Sequence, residues 1–600
     1  MSLPKPGRDR TNPSGYRPIS LTNTGARILE AIVHRRLYFY AETLGVLPET
    51  QFAFRKGRSH YDPLIILTQD IKHGFTSRYH SETVMVQLDI TKAFDTVWLD
   101  GLRHKLHTYG IRGNLLRFLS SFIADRRYRV VTPDTTEYTE FDNGVPQGSC
   151  FSPLLFTLFP ADCGQRLKCQ HAEFADEFTL WSTAQDRRTA EAELQHDLEV
   201  IERFAKRWHI TFGEKCSYTV FYERAPRDRG IINADLQFWG SSLSQEPEPR
   251  LLGIHFDHSL CYTAHIRHIE RDVQMKMAIL RRLIRGRLGS NRGALLSIYK
   301  GWIRPKLENG SMLFASVSLT ARERLERLQN AALRLVLWAS RNTPGPVLTT
   351  ECQTSTLAYR RDLAVLKRLR KIQSLPPGRT LHTRNLRWNS EEVGFEPKDR
   401  SPAHVYSFFG YANSIFWKYF GRSPYQEIVQ TAPLFPPRPW LPHVDDSDPH
   451  GDYRCQLRQK VREHQQRDFE TAPSISFYRG LRPSYKPSWP HAYIIGSRQL
   501  SSVIFRIRSG YCRVGRMRHF GPPIPCPGCR GEDSPAHLLL DCPAYAEKRR
   551  ELIDVVRKEA PDRQLTLQLL IGYTPTLRRG SNLKIATAVA KFIVRTGRKI

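Results

Sequence analysis

At 600 residues, with 90 Lys+Arg against 59 Asp+Glu, the chain carries a formal net charge of +31, which points to an acidic partner, nucleic acid before an anionic membrane surface. Its 40% hydrophobic and 25% charged fractions are ordinary for globular protein and exclude a wholly disordered chain. The longest apolar stretches, such as Pro153 to Pro160, fall far short of the about 20 residues that span a bilayer, and the 11 cysteines, mostly scattered singly, fit a reducing compartment, nucleus or cytoplasm, better than a disulfide scaffold.

From the start to about residue 340, short apolar strands alternate with longer helical patterns, the signature of an α/β (α+β) region. The segment Val84 to Asp89 reads as a strand, with Val84, Val86 and Leu88 on one face and Met85, Gln87 and Asp89 on the other. Asp89 therefore emerges at the strand's end on the less apolar face, where an Asp is ordinarily a turn or helix-cap residue. The loop Gly144 to Phe156 follows. Gly144 and Gly148 let backbone approach a ligand closely, and Gln147 offers both a donor and acceptors to a base or sugar. Next, Phe174-Ala175-Asp176-Glu177 reads as a hairpin with acids at its tip. Hairpin acids set beside a strand-end acid would suit two Mg²⁺ (or Mn²⁺) ions, which take hard oxygen ligands. A pair of such ions about 3.5–4 Å apart serves nucleotidyl transfer.

Helical spacing of Leu194, Leu198, Ile201, Phe204 and Trp208 predicts a helix from about Thr189 to Trp208. Leu325, Leu328, Ala332 and Leu335 predict another from about Arg322 to Trp338, both facing a core. Pro-rich stretches from Pro376 and from Pro433 to Asp452 read as linkers. Between them, Tyr406 to Phe420 is rich in aromatics and suits a small packed unit. Near the C-terminus, Cys526, Cys529, His537 and Cys542 spell C-x2-C-x7-H-x4-C within 17 residues, a donor set and spacing suited to tetrahedral Zn²⁺. Just upstream, Arg506, Arg508, Arg513 and Arg516 alternate with aromatics such as Phe505 and Tyr511, a pattern in which guanidinium groups clamp phosphates while rings stack on bases.

The order of these segments resembles the reverse transcriptases of non-LTR (LINE-type) retrotransposons, most closely the jockey-like group, over about residues 3 to 350. Tyr16 to Leu21 and Gln51 to Ser59 resemble the two fingers motifs, and Leu88 to Trp98 the motif bearing the first aspartate. Gly144 to Phe156 resembles the template and nucleotide loop. Phe174 to Glu177 stands in the place of the aromatic-Ala-Asp-Asp box, Trp208 to Lys215 in that of the segment carrying a lysine near the triphosphate, and Leu252 to Asp257 in that of the primer grip. The resemblance implies a right-hand polymerase fold: fingers and palm over 1–230, primer grip and thumb over 231–345, a helical connector over 346–452, and a basic C-terminal region with the zinc site over 453–600. It makes Asp89 and Asp176 metal ligands, with Glu177 and Lys215 also catalytic. Phe94 becomes the gate under the sugar, Gln147 and Gly148 contact the incoming nucleotide, and Lys5 and Arg17 hold its triphosphate. The implied partners are an RNA template, a DNA primer or target and deoxynucleoside triphosphates, with no membrane.

Three departures qualify the resemblance. Glu177 replaces the second aspartate, and a shift of about 1 Å in a reacting group can cost roughly 100-fold in rate. Gly213 and its neighbours replace an expected asparagine. The start at Met1 falls almost on the fingers motif, as in a truncated or decaying copy. The alternative expectation is thus a degenerate, non-catalytic nucleic-acid-binding remnant. A viral RNA polymerase or group II intron maturase shares the palm logic but fits the Ala-Asp-Glu hairpin and Leu252-Gly253 less well.

Overall fold

The computed structural model describes residues 2–5, 9, 11–12, 15–76, 81–124, 126–128, 139–140, 143–213, 215–223, 233–285, 292–373, 375, 407–420, 451–481, 498–510, 525–572, 574 and 576–598. The side chains of 451–454, 474 and 498–499 lie outside this description. Arg513, Arg516 and nearly all of both Pro-rich stretches fall outside the described residues; at their edge, Gly451 and Asp452 already belong to a helix, Gly451–Thr471. The chain divides into two compact units, one of Met1–Cys261 with Ile372–Gly410, the other of Tyr262–Lys371 with Tyr411–Ile600.

The first unit opens with a two-stranded ribbon, β1 (Ser2–Pro4) against β2 (Tyr16–Pro18). Helices α1 (Thr24–Thr43) and α2 (Tyr61–Thr76) lead to β3 (Glu82–Asp89). After α3 (Leu99–Thr108), α4 (Gly113–Ile123), the short ribbon β4 (Arg127–Tyr128) and β5 (Thr139–Glu140), and α5 (Ser152–Leu158), the hairpin β6 (Gln170–Phe174) and β7 (Glu177–Ala184) feeds α6 (Arg187–Trp208) and β8 (Ser217–Phe221). A small hairpin, β9 (Gln237–Phe238) and β10 (Ser241–Ser242), precedes β11 (Ser244–Gln245) and a second one, β12 (Arg250–Leu251) and β13 (Ile254–His255). The main sheet has the order β11-β8-β3-β7-β6, with β3 antiparallel to both neighbours.

β3 is the central strand, and its sequence says why. Val84, Met85 and Val86 are all fully buried, so both faces are covered. On one face Val84, Val86 and Leu88 pack with Phe178, Leu180 and the α6 residues Leu194, Leu198 and Ile201, each such side chain contributing roughly 1.5–3 kcal/mol by burial. On the other, α2 packs on β3 and β7, and Trp181 donates to Asp70 of α2 at 2.9 Å. The face carrying Asp89 is therefore not a solvated one.

Caps set the helix bounds. α6 begins at Arg187, two residues before the periodicity predicts, because Asp186 accepts the Arg188 N–H at 3.2 Å. Within it, the buried Asp197 accepts the N–H groups of Lys168 (2.9 Å) and Cys169 (2.7 Å), which fixes where β6 starts. The second core helix runs Leu319–Leu337, beginning early because Ser318 caps Ala321.

The second unit is helical among the described residues. It opens with α7 (Thr263–Arg285), against which Leu319–Leu337 packs. The aromatic stretch forms one helix, Phe408–Phe420. A buried polar cluster centres on Glu351, which accepts from Tyr478 Oη at 2.8 Å and Arg508 Nη1 at 3.3 Å, with Arg292 3.6 Å away. The C-terminal helices Ala546–Glu559 and Arg579–Arg595 pack around Leu552, Val556, Val589 and Phe592. No described helix is long and apolar enough to cross a membrane.

Glu173 on β6 is fully buried, and burial pushes its carboxyl from the ordinary 4.5 up to about 8. Between those values the folded chain holds a proton that the unfolded chain has lost, so this group's stabilisation falls as pH rises from about 4.5 to 8. A glutamine keeps the shape and the hydrogen bonds but cannot ionise. Thermal unfolding of Glu173→Gln should therefore show a melting temperature that gains on the wild type as the buffer moves from about pH 5 to about pH 8.5.

Candidate active site

The β3–β7 register places Asp89 opposite Glu177, with Asp176 one residue before it at the hairpin tip. The turn is Ala175-Asp176, and Ala175 takes a left-handed φ of 57°. The chain leaving β3 is clasped on both sides. The Ile90 N–H donates to Asp176 O at 3.1 Å, Thr91 N–H to Thr211 O at 2.8 Å, and Gly213 N–H to Asp89 O at 2.8 Å. A Cβ at Gly213 would lie 3.2 Å from Thr91 Oγ1 and 3.9 Å from Asp89 Oδ2, so glycine leaves room beside the carboxylate. Burial, then the Asp176 charge, push the Asp89 carboxyl up, and Lys215 draws it back. The exposed Lys215 thus sets its charge beside the pair. Burial, then Asp176 and Asp89, raise Glu177 to about 7.

The hairpin tip is held from below by a residue whose role sequence reasoning missed. Gln51, fully buried, accepts the N–H groups of Ala53 (3.0 Å) and Ala175 (3.3 Å) and donates to Glu173 at 3.2 Å. Backbone bonds reinforce it: Phe52 N–H to Glu173 O at 2.9 Å, Glu173 N–H to Thr50 O at 2.8 Å. Arg55, buried in the same motif, pairs with Glu42 at 2.6 Å. The only sequence signal was that Gln51 opens a fingers-like motif; nothing local pointed at the hairpin 120-odd residues on.

The loop carrying Gln147 and Gly148 docks on two earlier segments. Ser20 N–H donates to Gln147 O at 2.7 Å, and Ser149 Oγ to the buried Glu30 of α1 at 2.6 Å. At Gly148 φ is 116° and a Cβ would sit 2.5 Å from Ser20 O, so only glycine fits. Val145 N–H donates to Phe94 O at 2.7 Å, which joins this loop to the turn after Asp89. Phe94 is half-buried, its ring 5.3 Å from Phe156. Arg17 lies exposed on β2, paired with Leu3 of β1, and the Lys5 charge acts on Asp95, the chain neighbour of Phe94.

In the second unit, the thiols of Cys526, Cys529 and Cys542 and the His537 ring bring their donor atoms within 4.8 Å of one another. Cys542 Sγ lies 3.7 Å from both Cys526 Sγ and Cys529 Sγ. A tetrahedron of thiolates at the usual Zn–S distance of about 2.3 Å has an edge of about 3.8 Å, so the set fits zinc. Burial would raise the Cys526 thiol, but the N–H groups of Gly528 and Cys529 bring it down to about 7.

The arginines upstream divide. Arg508 is fully buried, donating to Ile571 O at 2.6 Å and to Glu351. It braces the helical core and does not reach a phosphate, which corrects its assignment to a nucleic-acid surface. Arg506, half-buried, donates to Trp338 O at 3.2 Å with its guanidinium 6.0 Å from the Trp338 ring.

Acids at a strand end and a hairpin tip of an antiparallel sheet, with a glycine loop and a lysine beside them, are an arrangement suited to metal-assisted phosphoryl transfer. Residues 3–256 match the family described as "Reverse transcriptase (RNA-dependent DNA polymerase)". The chain is 26% identical over 405 residues to the "Probable RNA-directed DNA polymerase from transposon BS" of Drosophila melanogaster, a match covering 64% of this chain and 44% of that protein. It is 25% identical over 386 residues to the "RNA-directed DNA polymerase from mobile element jockey" of the same species, covering 62% and 40%. Over these residues it is similar to the LINE-type reverse transcriptases of non-LTR retrotransposons and fits a right-hand polymerase fold of mixed helices and sheet, and the chain spans less than half the length of those two relatives. A chain from a telomerase structure of Candida albicans matches at 12% identity over 61% of this chain and 59% of that one, with a TM-score of 0.29 that carries no weight for the fold.

Replacing Gln51 by leucine removes three hydrogen bonds and strands the Ala53 N–H, the Ala175 N–H and Glu173 Oε2, each worth about 1–3 kcal/mol when buried unpaired. Chemical denaturation of Gln51→Leu should show a loss of about 2–5 kcal/mol against the wild type.

Proposed function

We propose that the chain is an RNA-directed DNA polymerase that adds deoxynucleotides to a primer 3′-hydroxyl on an RNA template. The observation that carries this reading is the β3–β7 register, which sets Asp89 beside the Asp176 hairpin with the Lys215 charge next to them. The donor set fits divalent cations of the Mg²⁺ type: two carboxylates crowd together, partly buried, and one pushes the other toward neutrality. Bound between Asp89 and Asp176, Mg²⁺ or Mn²⁺ would supply the positive charge that phosphoryl transfer requires.

The chain's own residues take the remaining tasks. Lys215 neutralises or protonates the departing pyrophosphate. Arg17 and Lys5 hold the triphosphate, the Gly148 backbone lies against it, and Gln147 meets the base or sugar. Phe94, fixed against Phe156, lies under the sugar and excludes a ribose 2′-hydroxyl. Residues 1–230 act as fingers and palm, 231–345 as primer grip and thumb, 346–452 as connector. The basic 453–600 region carries Zn²⁺ on Cys526, Cys529, His537 and Cys542, and Arg506 supplies a nucleic-acid contact. The site of action is the nucleus or cytoplasm, as the singly scattered cysteines suit a reducing compartment.

Primer extension on an RNA template with Mg²⁺ or Mn²⁺ tests the reading. Wild-type product should be DNase-sensitive, and Asp89→Asn or Asp176→Asn should lower the rate by about 10³-fold or more, as expected when transition-state charge stabilisation is removed. Binding without synthesis in the wild type would favour the degenerate, non-catalytic form instead. Metal analysis of the purified chain should find about one zinc, lost in Cys529→Ser together with the cooperative unfolding of the C-terminal helices.

A further inference from the structure

The two C-terminal helices, Ala546–Glu559 and Arg579–Arg595, leave a groove of about 530 Å³ between them. Five cations edge it, all exposed: Lys548 and Lys558 from the first helix, Lys584, Lys591 and Arg595 from the second. Only two acids, Glu551 and Glu559, stand among them, so the rim carries an excess of three positive charges. Helical spacing makes the rows, since residues seven and ten or eleven apart return to one face. Both acids are engaged by ion pairs open to solvent, Glu559 with Lys584 at 2.6 Å and Glu551 with Arg595, which a competing anion displaces at little cost. Lys558 and Lys591 have no ion-pair partner among the described residues. The floor does not suit an apolar partner. Its large side chains, Leu552 and Phe592, are 1% and 2% exposed, and of the apolar lining only Val555, Leu583 and Ala588 reach the surface, each in part. An amphipathic helix seated here would find no deep anchor, whereas a polyanion would find charge along both edges.

We propose that this groove binds a single strand of nucleic acid by its phosphodiester backbone. The site uses none of the residues of the acid-bearing sheet or of the cysteine–histidine cluster, and it stands independently of the polymerase reading. Packed helix axes lie about 8–10 Å apart, which leaves room for one backbone between two rows of cations and not for a duplex. The rows span ten and eleven residues, about 15–17 Å of helix, and the excess charge matches about three phosphates. Thr587, the one hydroxyl of the lining, already donates to Leu583 O at 2.7 Å. The contact is therefore one of charge, shared by RNA and single-stranded DNA.

Amine acetylation of the full-length protein, read residue by residue by mass spectrometry, tests the site without altering the chain. Saturating oligouridylate or oligothymidylate of about 12 nucleotides, within the range of known single-strand sites, should slow acetylation of Lys548, Lys558, Lys584 and Lys591 by about fivefold or more. Lys168, exposed in the first unit, should stay reactive. A duplex of the same length, or poly-glutamate of equal charge, should protect the groove at least about tenfold more weakly. In the double variant Lys558→Gln, Lys591→Gln, protection of Lys548 and Lys584 should need about tenfold more oligonucleotide or beyond at about 0.1 M salt, and the slope of log affinity against log salt should be shallower by about 1.4. Protection no greater in the groove than at Lys168 overturns the site, as does a double variant that matches the wild type. Poly-glutamate as effective as oligonucleotide makes the groove a dock for acidic protein and overturns the nucleic-acid assignment. Equal protection by the duplex overturns the single strand, and protection by only one of the two oligonucleotides overturns recognition through the backbone alone.

Discussion

Two like charges must be held together at one end of a sheet, and much of the first unit follows from that constraint. Carboxylates about 4 Å apart at an effective dielectric near 20 repel by roughly 4 kcal/mol, so a free chain would never keep Asp89 and Asp176 as neighbours. The antiparallel register does so because it is fixed along eight residues of β3 by packing on both faces. A slip of one residue would turn Val84, Val86 and Leu88 out of the α6 core. The acids are thus placed by apolar side chains that never touch them.

Other segments of the first unit are tied to that register through buried polar groups. Gln51 fastens the Gln51–Ser59 segment to the hairpin tip, Glu30 fastens α1 to the loop carrying Gln147 and Gly148, and Asp197 marks the start of β6. In the second unit Glu351 gathers Arg292, Tyr478 and Arg508. In a chain with an excess of 31 positive charges, these acids work in the interior. Each receives N–H, hydroxyl or guanidinium donors that a solvent-facing acid would not need, and each joins segments far apart in sequence. Burial makes such joints selective, since leaving one partner unpaired costs more than the bond itself gains.

Much of the architecture was legible before any coordinates. The alternation at Val84–Asp89, the Phe174–Glu177 hairpin and the core helices all appear where their periodicity places them, displaced by two or three residues where Asp186 and Ser318 cap earlier. The cysteine and histidine spacing converges as a chelate should. The errors share one cause. Arg508 and Arg506 lie two apart on one helix, Arg498–Ser509, and local pattern gives both the same reading, yet one is sealed against Glu351 and the other lies along Trp338. The face bearing Asp89 read as the less apolar of the two, and α2 nonetheless covers it.

The sequence by itself determined the chemistry available: which acids, thiols and glycines exist, and at what spacing along strands, turns and a knuckle. Those are local properties, set by side-chain alternation, backbone sterics and covalent reach. Tertiary structure alone decided which donors those groups meet. The bond from Ala175 to Gln51 and the burial of Arg508 against Ile571 and Glu351 each depend on contacts between segments far apart in sequence, closed only once the core has packed. Long flexible side chains such as Arg, Gln and Glu can satisfy several neighbourhoods equally well, and it is the packed apolar framework around them that leaves one.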